Sequence, residues 1–264
     1  MTMKLLFLGT GSAKCKRLQE DQIPEGARRC SSMLMDGTIQ LDVPIHTYDF
    51  LEKHGISPAS VTDIFLTHSH DDHFCKDTFL RYAKAGGRKL NFYCEKGALQ
   101  YLGLTEEEMA LVNIVTFEAM DTFEAAGMTV TALPSNHIAG KEEQTVHYVF
   151  EKDGQKLFYG LDGGWLTGKE WGYLYKKALP IDCAVFDTTC GEQPGNFRIG
   201  THNTIPMLRL LVEAFKENNV MSENGKIIAS HMGPHIHGVP AEETARILGE
   251  FGVIMAYDGF EIEI

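Results

Sequence analysis

Chemistry concentrates where the chain reads Phe65-Leu66-Thr67-His68-Ser69-His70-Asp71-Asp72-His73-Phe74. His68 and His70 are two positions apart, so an extended backbone at the end of a strand turns both imidazoles to one side. A bend just after them, ahead of a helix expected over residues 77–85, lets Asp72 and His73 return toward the same point. Three imidazoles and a carboxylate within six residues supply the neutral nitrogen and anionic oxygen donors that zinc prefers. With 11 histidines in 264 residues, three in six positions directly after an apolar strand is not a chance arrangement.

So compact a cluster does not close a site for two ions, and further donors are expected at other strand ends. His137 follows the run 130–136, Asp162 follows 157–161, and His231 follows 227–230. Each stands where an apolar strand exits, the place where sheet proteins gather functional loops. His202, in Gly200-Thr201-His202-Asn203-Thr204, precedes a helix. It reads either as a proton donor or phosphate contact, or as a loop histidine beside Asn203 or Thr204 as a helix N-cap. Asp187 ends the apolar run 182–186 and is expected either to orient a ligand imidazole or to serve as a buried structural carboxylate. His235 and His237 lie close enough to His231 to line a pocket and touch substrate. His46, His54 and His147 stand in no such pattern and read as ordinary, and Arg29-Cys30-Ser31-Ser32 reads either as holding a backbone turn or as meeting substrate, with structural use preferred.

The elements that must carry these residues follow from pattern. Strands are expected at 4–8, 32–35, 38–41, 63–67, 90–94, 112–117, 128–134, 145–151, 157–161, 183–187, 226–229 and 253–257. Helices are expected at 47–54, 77–85, 105–111, 204–218 and 241–251, the first of them closed by Gly55 and the third opened by Thr-Glu-Glu-Glu. Ile205, Leu208, Leu211, Val212 and Phe215 give the 204–218 helix one apolar face. Asp36-Gly37 and Asp153-Gly154 are hairpin turns. Leu8-Gly9-Thr10-Gly11-Ser12-Ala13 is a tight strand-exit turn and not a dinucleotide fingerprint, because Lys14 stands where the third glycine belongs. No repeat or Pro/Ser-rich linker interrupts this order. One layered α/β domain over 1–264 is therefore expected, with two sheets face to face and helices outside, although pattern alone would also permit one open sheet.

The 44% hydrophobic content is sufficient for a sizeable core, and no apolar run approaches the roughly 18–20 residues of a membrane span. The apolar start, Leu5-Leu6-Phe7-Leu8, is too short for a secretion signal, so a buried first strand in a cytoplasmic protein is expected. Six cysteines are scattered without a C-x-x-C pair, which predicts neither a disulfide framework nor a zinc knuckle. A formal charge of −12 opposes broad nucleic-acid or anionic-membrane binding. A small anionic substrate remains compatible, because metal ions reverse the local field. A homo-oligomer is equally compatible.

The motif His-x-His-x-Asp-His, followed by isolated His, Asp and His at strand ends, resembles the metallo-β-lactamase superfamily. The opening Leu8-Gly9-Thr10-Gly11-Ser12-Ala13 and the closing Ala256-Tyr257-Asp258-Gly259 are similar to its phosphodiesterase branch, which includes phosphoribosyl cyclic phosphodiesterases and, more distantly, tRNA 3′-processing nucleases. The similarity runs from residue 5 to about residue 260. It implies an αββα four-layer sandwich with a two-metal site at the sheet edge. It also implies that His68, His70 and His137 hold one ion, that Asp72, His73 and His231 hold the second, and that Asp162 bridges both. The cysteine-rich accessory zinc site of some cyclic phosphodiesterases has no counterpart near Cys15 or Cys30.

Two divalent ions carry four positive charges, from which Asp72, Asp162 and a bridging hydroxide subtract three. The centre stays cationic in an acidic protein, which favours phosphate esters. Attack by that hydroxide on a small or cyclic phosphodiester is the expected chemistry, with Asp72 and His202 as the catalytic residues and His202 protonating the leaving alkoxide. Zinc is the default ion, and manganese or iron(II) also suits an all-His/Asp site. A thioester or lactam hydrolase is the first alternative. An iron redox enzyme would need a flavin or another electron carrier, none of which is evident, and a non-catalytic metal-binding protein fits an intact donor set worst.

Overall fold

The structure is a computed structural model describing residues 2–13, 18–193, 197–233 and 241–264. Its strands form two sheets of seven. In the first, β1 (Lys4–Gly9), β2 (Ser32–Met35), β3 (Ile39–Leu41), β4 (Asp63–Phe65), β5 (Asn91–Glu95) and β6 (Asn113–Phe117) lie side by side in chain order. The second runs likewise through β7 (Thr122–Ala125), β8 (Met128–Pro134), β9 (Val146–Lys152), β10 (Gln155–Gly160), β11 (Ile181–Asp187), β12 (Met221–Ser230) and β13 (Val253–Met255). β14 (Glu261–Glu263) returns to the first sheet as the outer neighbour of β1. Both sheets are antiparallel on one side and parallel on the other: β3 to β6, and β10 to β13, are the parallel halves.

The period-2 alternation of strand side chains sets the layers. Met33 and Met35 of β2 and Cys183 and Val185 of β11 point into one core between the sheets. Their neighbours point outward: Leu34 packs with Phe50, Leu51, Phe79 and Tyr82, from helices α1 (Thr47–Lys53) and α2 (Lys76–Ala85). Ala184 and Phe186 pack with Leu208, Val212 and Phe215 of α5 (Ile205–Glu217), beside Leu174 of α4 (Gly168–Lys176) and Leu248 of α6 (Ala241–Gly249). The result is the four-layer αββα sandwich; the short α3 (Glu106–Met109) lies between β5 and β6 in sequence. Two face-to-face sheets, and not one open sheet, are therefore what the strand blocks build.

The strand leading to the histidine cluster is anchored across the middle layer. Phe65 stacks on Tyr93 with centroids 4.3 Å apart and meets Phe150 edge-on at 5.2 Å. Each such contact adds about 0.5–1.5 kcal/mol beyond area burial. Just beyond, Tyr148 donates its hydroxyl to the Leu66 carbonyl at 2.5 Å, and the Val146 amide donates to Thr67 O at 3.1 Å. These bonds tie the exit of β4 to the opposite sheet.

Most elements fall where expected, with shifted ends. β4 stops at Phe65 and not at residue 67 because the Thr67 amide is captured by the Asp42 carboxylate at 2.8 Å. The predicted 105–111 helix is confined to α3, with Thr105 as its N-cap, and Thr204 caps α5 in the same way. Both expected hairpin turns form, with φ of 51° and 71° at Asp36 and Gly37 and of 51° and 83° at Asp153 and Gly154. Among the described strands and α-helices, three went unpredicted: β7, β14 and α4. The two strands are short and half-exposed edges without an apolar run. α4 contains Gly168 and Gly172, poor helix formers, and is started by the Thr167/Glu170 capping box. Among the described residues no helix is long and apolar enough to cross a membrane.

Candidate metal centre

Strand direction brings the candidate residues to one edge. β8 and β10 both run antiparallel to β9, and β10, β11 and β12 are parallel. Their C-terminal ends, which lead to His137, Asp162, Asp187 and His231, therefore share an edge of the second sheet. By the same logic β1, β3 and β4 point one way, so Gly9, Leu41 and the His68 loop share an edge of the first. The two edges are joined where the Met232 amide donates to Thr10 O at 2.8 Å and the Ser12 amide donates to Met232 O at 3.2 Å. Thr10 in turn donates to Asp258 at 2.7 Å, linking the two terminal motifs. Asp162 and His231 both adopt φ of +56°, a left-handed conformation uncommon outside glycine and most often taken by Asn, Asp and His. Ser135 Oγ holds the Asp162 carbonyl at 2.8 Å and Thr189 Oγ1 holds that of His231 at 2.9 Å.

The donor atoms fall into overlapping groups. His68, His70, His137 and Asp162 place one donor each within 4.8 Å of one another, and so do Asp72, His73, Asp162 and His231. Asp162 belongs to both. In the first group His68 Nε2 and His137 Nε2 stand 3.0 and 3.1 Å from His70 Nδ1. In the second, His73 Nε2 lies 3.3 Å from His231 Nε2 and 2.8 Å from Asp162 Oδ2. Asp72 Oδ2 is 3.8 Å from both imidazoles. Nitrogens bound tetrahedrally at about 2.1 Å would stand about 3.4 Å apart. The observed spacings fit that arrangement, and the donors suit a divalent ion. Asp162 Oδ1 is buried without a hydrogen-bond donor, a place a cation would satisfy. Asp71 is exposed on the wall of the cavity and stands outside both groups, as expected.

Electrostatics points the same way. Burial drives His68 well below its ordinary pKa, with His73 adding to the effect, and lowers His137 to about 4. Burial also acts to lower His73 and His231, but the surrounding carboxylates override it. Asp42, Asp162 and Asp72 hold His73 well above its usual value, and Asp162, Asp187 and Asp72 raise His231 to about 10. For Asp162, burial is outweighed by His231, His137 and His73, so its pKa falls well below normal. In the chain alone, protons on His73 and His231 balance the buried carboxylates. A divalent ion held by these donors would take over that role, and its binding would release the protons.

A ring of outer contacts fixes the imidazoles. Asp42 Oδ2 accepts from His73 Nδ1 at 2.7 Å, while Oδ1 accepts from the Thr67 amide. Thr67 Oγ1 lies 3.1 Å from His68 Nδ1, and Thr189 Oγ1 lies 2.7 Å from His231 Nδ1. Glu143 accepts from the Ser69 amide at 2.7 Å and from its hydroxyl at 2.5 Å, holding the turn between His68 and His70. None of these partners was singled out in the sequence. Asp42 was detectable, because it directly follows a short apolar strand as Asp162 does. Thr189 and Glu143 carry no such signal.

The buried Asp187 accepts from His202 Nδ1 at 2.8 Å and from the Thr189 amide at 2.7 Å, and lies 3.4 Å from His231 Nδ1. His202 is itself 8% exposed, so it is not an exposed loop histidine, and Thr204 beside it is the helix cap, one of the two positions expected. Burial opposes its protonation, yet Asp187 and Asp162 raise its pKa. His202 also forms a third donor group with Asp162, Asp187 and His231. A cavity of about 240 Å³ opens over His70, Asp72, His137, Asp162, His202 and His231. His235, His237 and Cys15 lie outside the described residues. Among the described residues, no cysteine belongs to a donor group. Arg29 pairs with Glu20 and Asp258.

The family profile described as the beta-lactamase superfamily domain matches residues 15–251, which span the whole donor set. The chain belongs to the metallo-β-lactamase superfamily. Its layers, strand order and paired His/Asp groups are those of a metal-dependent hydrolase of that superfamily. Solved structures with the same fold include a diphosphatase from the PhnP family, 21% identical, with a TM-score of 0.75 over 100% of this chain and 98% of that one. The short form of human tRNase Z is 17% identical, with a TM-score of 0.67 over 98% of each chain. Zinc-bound PqqB from Methylobacterium extorquens is 14% identical, with a TM-score of 0.65 over 99% of this chain and 100% of that one. At these identities the likeness establishes the fold alone. No curated protein matches the sequence.

Proposed function

We propose that this superfamily member is a phosphodiesterase acting on a small or cyclic phosphodiester in the cytoplasm. The placement of His202 carries the reading: an imidazole on the cavity wall, bound through Nδ1 to a fully buried carboxylate, beside two donor groups that share Asp162. In this reading His68, His70 and His137 hold one divalent ion and Asp72, His73 and His231 the other. When bound, the ions lower the pKa of water and draw charge from phosphoryl oxygens. Zinc is the first choice and manganese or iron the next. Asp187 keeps Nδ1 of His202 occupied and its pKa raised, so that Nε2 carries a proton for the leaving alkoxide. Asp42 and Thr189 orient the imidazoles of His73 and His231. Asp72 and Asp162 leave a net positive centre within a chain of charge −12, which supports an anionic substrate. At about 240 Å³ the cavity is smaller than the roughly 300–1,000 Å³ of ordinary ligand pockets, which supports a small one. The names diphosphatase and tRNase, borne by two proteins of the same fold, also denote cleavage at phosphorus.

The test is metal analysis of the purified protein, followed by side-by-side assay of a phosphodiester, a thioester and a β-lactam. Two ions per chain and turnover of the diester alone are expected. Absence of diester turnover with zinc, manganese and iron each supplied would defeat the proposal, and thioester or lactam turnover would replace it.

A further inference from the structure

His147 and Glu170 stand in no recognised motif and do not line the cavity, yet both are buried, at 2% and 0% exposure. His147 Nδ1 meets Glu170 Oε1 at 2.5 Å, and Glu170 Oε2 accepts from the Thr167 amide at 2.6 Å. Thr167 Oγ1 reaches across to Pro134 O at 3.1 Å. The other edge of the imidazole rests on Gly163, the residue after Asp162: a Cβ there would stand 2.4 Å from His147 Cε1 and 2.7 Å from Nε2. Edge-on contact with Phe158 at 5.7 Å fixes the ring plane. The segment from Asp162 to Thr167 is thus bracketed. Its near end is set against the His147 ring and Ser135, its middle against Asn136, which accepts from the Gly164 amide at 2.9 Å, and its far end against Glu170.

A buried ion pair is a weak source of stability, and apolar side chains of similar volume commonly replace one without loss. What this pair supplies is direction. Asp162 sits at φ +56°, a left-handed conformation that only a few per cent of non-glycine residues adopt, Asp among the more frequent, and the packing of the loop around it fixes where its carboxylate points. We propose that His147 and Glu170 are positioning residues that hold the Asp162 loop, and with it the carboxylate shared by the two donor groups. This rests on reading Asp162 as the ligand common to two ions.

The experiment uses the full chain, zinc alone as the probe, and three proteins: wild type, Glu170→Gln, and the apolar double variant His147→Phe/Glu170→Leu, which leaves no unpaired buried charge. Zinc affinity is measured by competition with a chromophoric chelator, and amide exchange is followed at Gly163 and Gly164. Both variants should keep the circular dichroism of wild type, bind zinc about 10- to 100-fold more weakly, and exchange faster at those two amides while β8 to β10 stay protected. On a diester, kcat should fall with KM unchanged. A folded double variant with wild-type zinc affinity and wild-type exchange would overturn the proposal. So would loss of fold in both variants, which would make the pair a purely structural element. Wild type binding two zinc ions without diester turnover would sink the phosphodiesterase reading while leaving the zinc and exchange comparison to decide this one.

Discussion

Replacing His202 with alanine separates an acid from a ligand. The side chain makes its defined hydrogen bond to Asp187, and the His68/His70/His137/Asp162 and Asp72/His73/Asp162/His231 groups are complete without it. Asp187 keeps the Thr189 amide at 2.7 Å and the Asn203 amide at 3.3 Å, so it is not stranded. The fold and both ions should therefore survive. A positioned proton donor contributes about 10²- to 10⁴-fold, which is about 2.7–5.4 kcal/mol of barrier. His202→Ala should lose kcat in that range for a diester whose leaving group is an ordinary alkoxide. With p-nitrophenolate, which departs without a proton, the loss should be far smaller. Steady-state kinetics on the two substrates, with metal content measured on the same preparation, gives the comparison. Equal losses on both substrates would refute the role as acid. Loss of one ion would make His202 a ligand, through the third donor group.

Further outcomes follow from the same geometry. Asp187→Asn should move the alkaline limb of the kcat profile to lower pH. His202 must be protonated to act, Asp187 raises its pKa, and activity is lost as pH rises through that pKa; an unmoved limb would count against the pairing. For the metal-free protein, His231 has a pKa raised to about 10, so the stability it contributes is complete below about pH 6.5 and is lost as pH rises toward 10. Melting of chelated protein should fall between about pH 6 and 9 while the zinc-loaded protein holds steady, and a chelated Tm that climbs with pH would contradict this. Gly9→Ala should destabilise by about 1–3 kcal/mol, because the new Cβ would stand 1.9 Å from Cys30 O and 2.8 Å from His46 Nε2. A thermal melt unchanged within about a degree would show that the β1–β2 pair can open there.

Much of the centre could be read from one dimension because its first half is local. His68, His70, Asp72 and His73 sit on one strand exit, where the backbone period alone turns donors to a common side. His137, Asp162, His231 and Asp187 were found by a second local signature, a polar residue closing an apolar run. Asp42 carries that signature too, but its carboxylate has meaning only once β3 lies next to β4 and delivers it to His73 Nδ1. His147 looked ordinary because its partner is 23 positions away, on a helix whose two glycines hide it.

The sequence by itself thus determined the donor types, their place at strand ends and the layered alternation of β-branched and aromatic runs with amphipathic helices. Tertiary structure alone decided that two seven-stranded sheets face each other, that Asp162 is common to both donor groups, and that His202 leans on Asp187. The physical reason is range. Backbone geometry dictates where side chains within a few residues point, whereas strand order and register, which bring residues 68, 137 and 162 into one donor group and residues 73, 162 and 231 into another, arise from the packing of the whole core.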